Sequence, residues 1–374
     1  MSRHDVVVVG GGFAGAALAL VLARAGVDVL VLEREREFRD RVRGEVIYPW
    51  GVAEGRRLGL LEHVAPAVTE LRAWNTTIDP LPGRRRDLPA TTPAGEPALA
   101  FHHPEVQALL LAAAEAAGAR VVRGAAVVGV EPGAQPAVVA REGAARREAR
   151  HTARLVVGAD GRDSAVRTTA GFAVERAPEA LVLAGALVAG AGVPAGAGHV
   201  YMRPGGGELG MAMNVGGGRH RVYAGYHLAT GRRHLSGSSA LPAFVATATA
   251  AGMPAAWFEG ARLVGPLAEF SGADLWAPHP WRDGVALVGD AAAVSDPNWG
   301  CGLALAWRDV RALSGALLAS GDPAAAGGAY AAEHDAYHAA LRRQTGWLTT
   351  VFRTPGPEAD ALRERALPLF AADP

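Results

Sequence analysis

The sequence contains no lysine, so all 37 of its basic residues are arginines. Chemistry that needs an amine side chain, such as Schiff-base formation, is therefore excluded. The one cysteine, Cys301, excludes an intrachain disulfide framework and a cysteine-rich metal site. Because 37 acidic residues balance the arginines, the net charge gives no reason to expect a nucleic acid or an anionic membrane as a partner.

The sequence also lacks long hydrophobic runs and residues spaced as metal ligands. No segment has ~18 uninterrupted apolar residues, and the N-terminus leads into a strand-like segment without a signal peptide. We therefore expect a soluble, cytoplasmic protein with no metal site. A length of 374 residues predicts two domains, or one large domain with an insertion. The run Arg84, Arg85 and Arg86 is interpreted as a solvated loop.

The N-terminal segment has the pattern of a strand, a helix and a second strand. Residues 5–9, DVVVV, form a β-branched run typical of a buried parallel strand. The Ala- and Leu-rich segment 13–26 favours a helix ending at Gly26, and residues 27–33 form the second strand. This order predicts a right-handed crossover and a parallel sheet.

Glycines at the first turn of this unit predict dinucleotide binding. Gly10, Gly12 and Gly15 have the G-x-G-x-x-G spacing that lets a pyrophosphate approach the backbone at a helix N-terminus. Glu33, which ends the second strand, can accept a hydrogen bond from a ribose hydroxyl, and this favours FAD or NAD over NADP. Residues 205–210, GGGELG, fit the same spacing without the flanking strand and helix, so they are interpreted as a turn.

The remaining segments indicate an α/β fold with a β insertion. A helix is expected over 104–118, and residues 153–160, ARLVVGAD, read as an apolar strand ending in an acid. Residues 208–228 contain a GGGR turn between alternating segments, which predicts a β-hairpin. From residue 302 onward the pattern is mostly helical. We expect a Rossmann-like domain with a parallel sheet, interrupted by a mostly β unit and followed by a helical C-terminal end.

Two further segments resemble a known family. Residues 156–167, VVGADGRDSAVR, resemble the Asp-Gly motif of the FAD-dependent aromatic hydroxylases, the para-hydroxybenzoate hydroxylase superfamily of group A flavoprotein monooxygenases. Residues 284–303, GVALVGDAAAVSDPNWGCGL, resemble that family's Gly-Asp motif. With the N-terminal glycines, the three motifs lie in the family's order and at about its spacing, and the resemblance covers the flavin-binding parts of the chain. It implies FAD as the bound cofactor, NAD(P)H as a transient co-substrate, and O2 with a small molecule as the other reactants.

The resemblance also implies which residues bind FAD. The ADP half is expected at the glycines and Glu33, the ribityl chain at Asp290, and the flavin ring at the loop from Pro297 to Leu303. The full set of expected cofactor residues is Gly10, Gly12, Gly15, Glu33, Arg34, Arg43, His103, Asp160, Asp290, Gly300, Gly302 and Leu303. Two departures from the family pattern, Ala293 in place of a common histidine and the Leu/Ala residues after Cys301, leave the flavin pose and the proton network open.

Structural roles explain some of these residues as well. Asp290 could cap a following helix, and the pair His102 and His103 could cap the helix that Pro104 opens. Cys301 is interpreted as a small apolar filler rather than a redox thiol, because it has no resolving partner.

The substrate side is expected on the hairpin. Met211, Met213 and Tyr223 are the predicted substrate residues, although packing of a half-buried sheet explains them equally. A Met and Tyr lining suits an apolar, aromatic substrate. No catalytic base stands out, and Pro297, Trp299 and Tyr223 are the candidates.

The expected domain boundaries follow from this placement. Residues 1–70, 101–175 and 265–335 are assigned to a discontinuous FAD-binding domain. Residues 71–100 and 176–264 are assigned to the substrate domain, and 336–374 to the C-terminal helices.

The resemblance predicts a single-component monooxygenase. NAD(P)H would reduce the flavin, and a flavin C4a-hydroperoxide would oxygenate the substrate. Two alternatives stay open: a flavin-dependent reductase or dehydrogenase without oxygen insertion, and a non-catalytic FAD-binding protein. The related halogenases are disfavoured because the chain lacks their lysine and their Trp-x-Trp-x-Ile-Pro segment.

Overall fold

The computed structural model describes residues 2–42, 44–143 and 145–372. In chain order the strands are β1 (Ser2–Val9), β2 (Val29–Glu33), β3 (Val46–Ile47), β4 (Val68–Leu71), β5 (Ala73–Ile78), β6 (Arg84–Asp87), β7 (Ala98–Phe101), β8 (Arg120–Arg123), β9 (Ala126–Glu131), β10 (Ala137–Glu142), β11 (Arg147–Gly158), β12 (Glu175–Arg176), β13 (Leu181–Ala189), β14 (Ala197–Arg203), β15 (Glu208–Asn214), β16 (Arg219–His227), β17 (Arg262–Ser271), β18 (Leu275–Trp276), β19 (Trp281–Arg282), β20 (Val285–Leu287) and β21 (Ala293–Val294). The α-helices are α1 (Phe13–Arg24), α2 (Pro49–Arg57), α3 (Leu61–Val64), α4 (Leu88–Thr91), α5 (His103–Ala116), α6 (Ala165–Thr169), α7 (Leu241–Ala250), α8 (Gly302–Ser320), α9 (Pro323–Phe352) and α10 (Pro357–Ala372).

The first sheet is built around β1. Its order is β19, β20, β11, β1, β2 and β8, and the hairpin of β9 and β10 joins it through β11. Strands β20, β11, β1, β2 and β8 run parallel. The valines of β1 are buried because α1, α5 and α8 pack on one face of the sheet, while the β9–β10 hairpin and α6 cover the other. This arrangement confirms the predicted parallel sheet.

The second sheet has the order β17, β13, β16, β15, β14, β5 and β6, and it is antiparallel except where β14 pairs with β5. Strands β15 and β16 form the predicted hairpin. Their turn contains Gly216, Gly217 and Gly218, all with positive φ angles that side chains disfavour. Helix α7 packs on one face of this sheet, and the opposite face packs against strands β3, β4 and β7.

Arg84, Arg85 and Arg86 correct one expectation. They belong to the edge strand β6, which pairs with β5, and not to a loop. Their side chains are exposed as expected.

Three helices, α8, α9 and α10, confirm the predicted helical C-terminal end. Two small three-stranded sheets complete the fold, one of β3, β7 and β4 and one of β12, β18 and β21. Within the described ranges, every helix is too short or too polar to cross a membrane. The division into domains at the expected residue numbers stays a prediction.

Candidate active site

A cavity of about 680 Å³ lies between the two sheets. Its first wall is formed where β1, β2, β11 and β20 end, because the residues that follow these strands line it. Ligands of open parallel sheets bind at this carboxyl edge. Its second wall comes from the other sheet and includes Leu183, Met211, Tyr223 and Phe270. The volume is within the usual range for small-molecule and cofactor sites.

The three glycines of the first turn have different structural roles. Gly10 has φ +98°, and a Cβ there would lie 2.5 Å from the carbonyl oxygen of Ala159. A Cβ on Gly15 would overlap the carbonyl oxygen of Gly10. Gly12, in contrast, faces the cavity, and the nearest atom to its hypothetical Cβ is Gln107 Nε2 at 3.3 Å. Gly10 and Gly15 therefore allow the helix to pack, whereas Gly12 leaves room for a ligand.

Glu33 is a buried carboxylate held at the cavity wall. Its Oε2 accepts a hydrogen bond from Gly11 N at 2.7 Å, and its Oε1 accepts one from Glu35 N at 2.7 Å. A carboxylate has about four acceptor positions, so this side chain is fixed in place and can still accept from ribose hydroxyls. Arg34 lines the exposed rim of the cavity beside it.

Asp160 lines the cavity and also caps α6. Its Oδ2 accepts from Ala165 N at 2.7 Å and Val166 N at 3.2 Å, and its Oδ1 accepts from Ser164 Oγ at 2.5 Å. The structure thus gives this carboxylate a capping function. Its predicted contact with the cofactor stays a prediction.

Asp290 lies in a 3-10 helix, Gly289–Ala291, that follows β20 and lines the cavity. Val288, not Asp290, occupies the N-cap position of this turn. A Cβ built on Gly302 would be 3.9 Å from Asp290 Oδ1, so the carboxylate faces the start of α8. Nη1 of the buried Arg167 fixes the backbone of this turn, because it donates to the carbonyl oxygens of Asp290 at 3.3 Å and Ala291 at 2.9 Å.

The loop before α8 closes one side of the cavity. Pro297, Gly300, Gly302 and Leu303 all line it. Gly300 has φ +65°, and a side chain there would press against Tyr48 Oη. Helix α8 begins at Gly302, so the N–H groups of its first turn lie at the cavity and supply the positive end of the helix dipole.

Cys301 is buried beside this loop. Burial raises the pKa of its thiol to about 12, with further increases from Asp274 and Asp296. Since the thiolate is the reactive form, this cysteine is chemically inert at neutral pH. Its Sγ donates to the carbonyl oxygen of Trp299 at 3.3 Å.

Two predicted residues lie away from the cavity. The Trp299 indole packs against the C-terminal helices, and its Nε1 donates to Thr349 Oγ1 at 3.0 Å. The Met213 side chain is fully buried in the layer between the second sheet and strands β3, β4 and β7, whereas Met211 and Tyr223 line the cavity. Neither the half-buried Trp299 nor Met213 lines the cavity, and their roles toward a ligand stay predictions.

His103 lines the cavity at the start of α5. Its Nδ1 lies 2.7 Å from the carbonyl oxygen of Gly44, so this nitrogen carries the proton and donates. Burial lowers the pKa of His103 to about 4 despite that hydrogen bond, so the imidazole is neutral at pH 7. Arg43, the neighbouring predicted residue, lies outside the described residues.

A buried ionic cluster at the cavity wall was missed by the sequence analysis. Arg221 Nη2 lies 2.8 Å from Asp40 Oδ2 and 2.7 Å from Glu45 Oε1, and the Tyr223 hydroxyl donates to Glu45 Oε2. Burial raises the pKa of Glu45 although Arg221 and Tyr223 oppose the shift. Burial also acts to raise the pKa of Asp40, but His102 and Arg221 outweigh it and lower that pKa. The partners are distant in sequence, so no local pattern could have indicated the cluster.

A second network links α8 and α9 to the turn that contains Asp290. Asp309 on α8 contacts His334 and Tyr337 on α9 and the backbone N–H of Gly289. Tyr330, His334 and Tyr337 share one face of α9, since they are four and three residues apart. This buried polar stripe at helical spacing was a readable signal that the sequence analysis did not use.

These groups fit FAD. Backbone N–H groups at the start of α1 suit a pyrophosphate, Glu33 suits a ribose, and the start of α8 suits the negative charge of a reduced flavin ring. Within the described ranges, no group of three or more His, Cys, Asp or Glu side chains could hold a metal ion.

The fold and the cavity together define a dinucleotide-binding flavoprotein. The FAD binding domain family matches residues 3–352, so the chain belongs to this family. This match confirms the predicted cofactor, FAD.

Solved structures of similar fold include two hydroxylating enzymes. p-Nitrophenol 4-monooxygenase PnpA from Pseudomonas putida DLL-E4 has a TM-score of 0.81 at 20% identity, over 98% of this chain and 93% of that one. OxyS anhydrotetracycline hydroxylase from Streptomyces rimosus has a TM-score of 0.77 at 24% identity, over 98% of this chain and 72% of that one. At these identities the likeness concerns the fold.

A sequence relative is 6-methylpretetramide 4-monooxygenase from Streptomyces rimosus. It is 44% identical over 61 residues, which are 16% of this chain and 15% of that protein. The match therefore spans only a short part of the relative.

Proposed function

We propose that this protein is an FAD-dependent monooxygenase of the aromatic hydroxylase type, with NAD(P)H and O2 as co-substrates. The observation that carries the proposal is the continuity of the cavity from the dinucleotide turn at Gly12 to the apolar wall at Met211 and Phe270. A cofactor that binds at one end thus has its reactive part beside a space for a second, apolar molecule. Membership of the FAD binding domain family supports this proposal.

The chain contributes binding, orientation and exclusion of water. The first turn of α1 and Glu33 would hold the ADP half, and Asp290 would hold the ribityl chain. The loop with Pro297, Gly300 and Leu303 would present backbone groups to the flavin ring. Bound FAD supplies the redox chemistry, which here is the activation of O2 after reduction by NAD(P)H. Protein side chains need not form a covalent bond with the substrate.

The substrate end favours an apolar ring that carries a hydroxyl group. Leu183, Met211 and Phe270 form an apolar wall, and Tyr223 with Glu45 supplies polar atoms in it. Because the Tyr223 proton is donated to Glu45, the Tyr223 oxygen is oriented to accept a hydrogen bond. A phenol or an enol donates such a bond, whereas a hydrocarbon or an ether does not.

The test is a ligand screen with isotope labelling. Purified protein should show the visible spectrum of bound FAD. An aromatic hydroxyl compound should stimulate NAD(P)H oxidation, and the product should contain one atom from labelled O2. Substrate conversion without label would instead identify a reductase or dehydrogenase. Bound FAD that no ligand in the panel makes turn over would identify a non-catalytic FAD-binding protein.

A further inference from the structure

The network around Asp309 is buried between α8, α9 and the end of β20. The Asp309 side chain is 1% exposed. Its Oδ1 accepts a hydrogen bond from the Tyr337 hydroxyl and lies 3.0 Å from His334 Nδ1, which also lies 3.1 Å from the Tyr337 oxygen. Its Oδ2 accepts from Gly289 N at 2.7 Å. One buried carboxylate thus joins two helices to one backbone turn.

The Gly289 end of this network lies at the cofactor cavity. Gly289 lines the cavity with Asp290, the next residue in the chain. Gly289 has φ +60°, and a Cβ there would lie 3.1 Å from the Cβ of Ala14 on α1. The turn is therefore confined by α1 on one side and held through its N–H by Asp309 on the other.

A buried carboxylate is costly unless hydrogen-bond donors surround it. Here the Tyr337 hydroxyl and the Gly289 N–H donate to Asp309, and burial followed by the charge of Asp309 raises the pKa of Tyr337 well above its usual value. Tyr337 thus remains a donor at all ordinary pH values. Because Oδ1 of the carboxylate is bound by Tyr337, its Oδ2 is directed at the Gly289 N–H.

We propose that Asp309 is a positioning residue for FAD, which acts through Gly289 to place Asp290, and that Tyr337 and His334 on α9 support it. Helix α9 is then part of the cofactor site although its network residues do not line the cavity. The inference concerns FAD affinity, so it applies whichever substrate the protein uses and also if the protein has no catalytic activity. It therefore stands or falls separately from the monooxygenase proposal.

The decisive measurement is the FAD dissociation constant. It is obtained by titrating the apoprotein with FAD and monitoring the quenching of FAD fluorescence on binding. Asp309→Asn keeps the shape but replaces one acceptor oxygen with a donor. We expect it to weaken FAD binding by about tenfold or more, since a hydrogen bond to a charged group is lost. Tyr337→Phe should also weaken FAD binding, but by a smaller factor.

Tyr330→Phe is the matched control. Tyr330 lies on the same buried face of α9, but its hydroxyl donates at 2.6 Å to the carbonyl oxygen of Leu287, the last residue of β20, and makes no hydrogen bond to the Gly289–Ala291 turn. We expect this variant to lower the thermal stability of the apoprotein and to leave the FAD dissociation constant unchanged. Equal weakening of FAD binding by Tyr330→Phe would show that the α9 face has only a structural role.

A double variant tests the connection within the network. If Asp309 and Tyr337 act on FAD through one network, Asp309→Asn with Tyr337→Phe should weaken FAD binding by less than the product of the single effects. Unchanged FAD affinity in Asp309→Asn would overturn the proposal. If that variant yields no folded apoprotein, Tyr337→Phe decides: wild-type affinity in a folded Tyr337→Phe protein also overturns it.

Discussion

At the scale of single residues, Asp296 shows how the cofactor loop responds to pH. Burial raises the pKa of Asp296 to about 6, although hydrogen bonds from Asn298 and the charge of Arg353 oppose the shift. The folded protein therefore holds this proton at pH values where the unfolded chain, with a pKa of 3.8, has released it. It follows that the contribution of Asp296 to the free energy of unfolding falls as the pH rises from about 4 to about 6.

Asp296→Asn should remove this pH dependence. The shift of about two units corresponds to at most about 3 kcal/mol, so the variant should gain up to that much stability relative to wild type at pH 7. Denaturant unfolding of both proteins from pH 4 to pH 7 measures the difference. The two proteins are compared because His103 and His338 also contribute to the pH dependence. Burial lowers their pKa values to about 4, so their contribution to the free energy of unfolding decreases as the pH falls below 6.5. A constant difference across the range would contradict the assignment.

Tyr223 leads to a prediction about substrate selection. Its ring lies over Gly185, where a side chain would clash with Tyr223 Cε1, and its hydroxyl reaches Glu45. Tyr223→Phe should lower kcat/KM for a hydroxyl-bearing aromatic substrate by about threefold to tenfold, as expected for one lost hydrogen bond. FAD content should not change. The same factor for an analogue without the hydroxyl would show that Tyr223 acts only by packing.

At the scale of secondary-structure elements, the glycine turn before α1 separates folding from binding. Gly15→Ala should destabilise the apoprotein by at least about 2 kcal/mol, because the new methyl group overlaps the Gly10 carbonyl oxygen. Gly12→Ala should leave the apoprotein nearly as stable, since only the flexible Gln107 side chain is near, and should weaken FAD binding. Thermal unfolding and FAD titration of the two variants check this. Equal destabilisation by both would show that the two glycines share one function.

Local elements were predictable from the sequence because each has its own pattern. The β-branched run of β1, the glycines before α1 and the turn of the β15–β16 hairpin are all readable within short windows. Edge strand β6 was not predictable from the sequence, since three arginines carry no strand pattern. Its pairing with β5 decides its conformation. The network of Glu45 and Arg221 was also unpredictable, because it depends on contacts between distant segments.

At the scale of the whole molecule, Arg353 joins three parts of the chain. It follows α9, and its Nη1 donates to Asn298 Oδ1 at 2.9 Å, while Nε and Nη2 donate to the carbonyl oxygen of Gly207 at 3.3 Å. The guanidinium is fully buried, and burial lowers its pKa to about 10. The cofactor loop, the second sheet and the C-terminal helices therefore meet at one cation.

Arg353→Met should lower the free energy of unfolding by about 3 kcal/mol, because it leaves buried acceptors without a donor. It should also weaken FAD binding, since Asn298 is next to Pro297 in the cavity wall. Arg233→Met is the control, because Arg233 binds Glu208 at 2.9 Å on the second sheet without contacting the loop. Chemical unfolding and FAD titration compare the two. Wild-type FAD affinity in Arg353→Met would contradict the coupling.

The strand order of the first sheet has a consequence for synthesis of the protein. Strand β1 is made before β2 and β11, between which it lies, and β11 pairs in turn with β20 near residue 285. Contacts between such distant segments form slowly, because a long loop must close before these contacts can stabilise the folded state. Residues 300–306 complete the cavity wall, so a nascent chain on the ribosome exposes the unpaired edge of β11 before β20 and the FAD site are made. We therefore expect chaperones, rather than the cofactor, to protect this chain while it is being made.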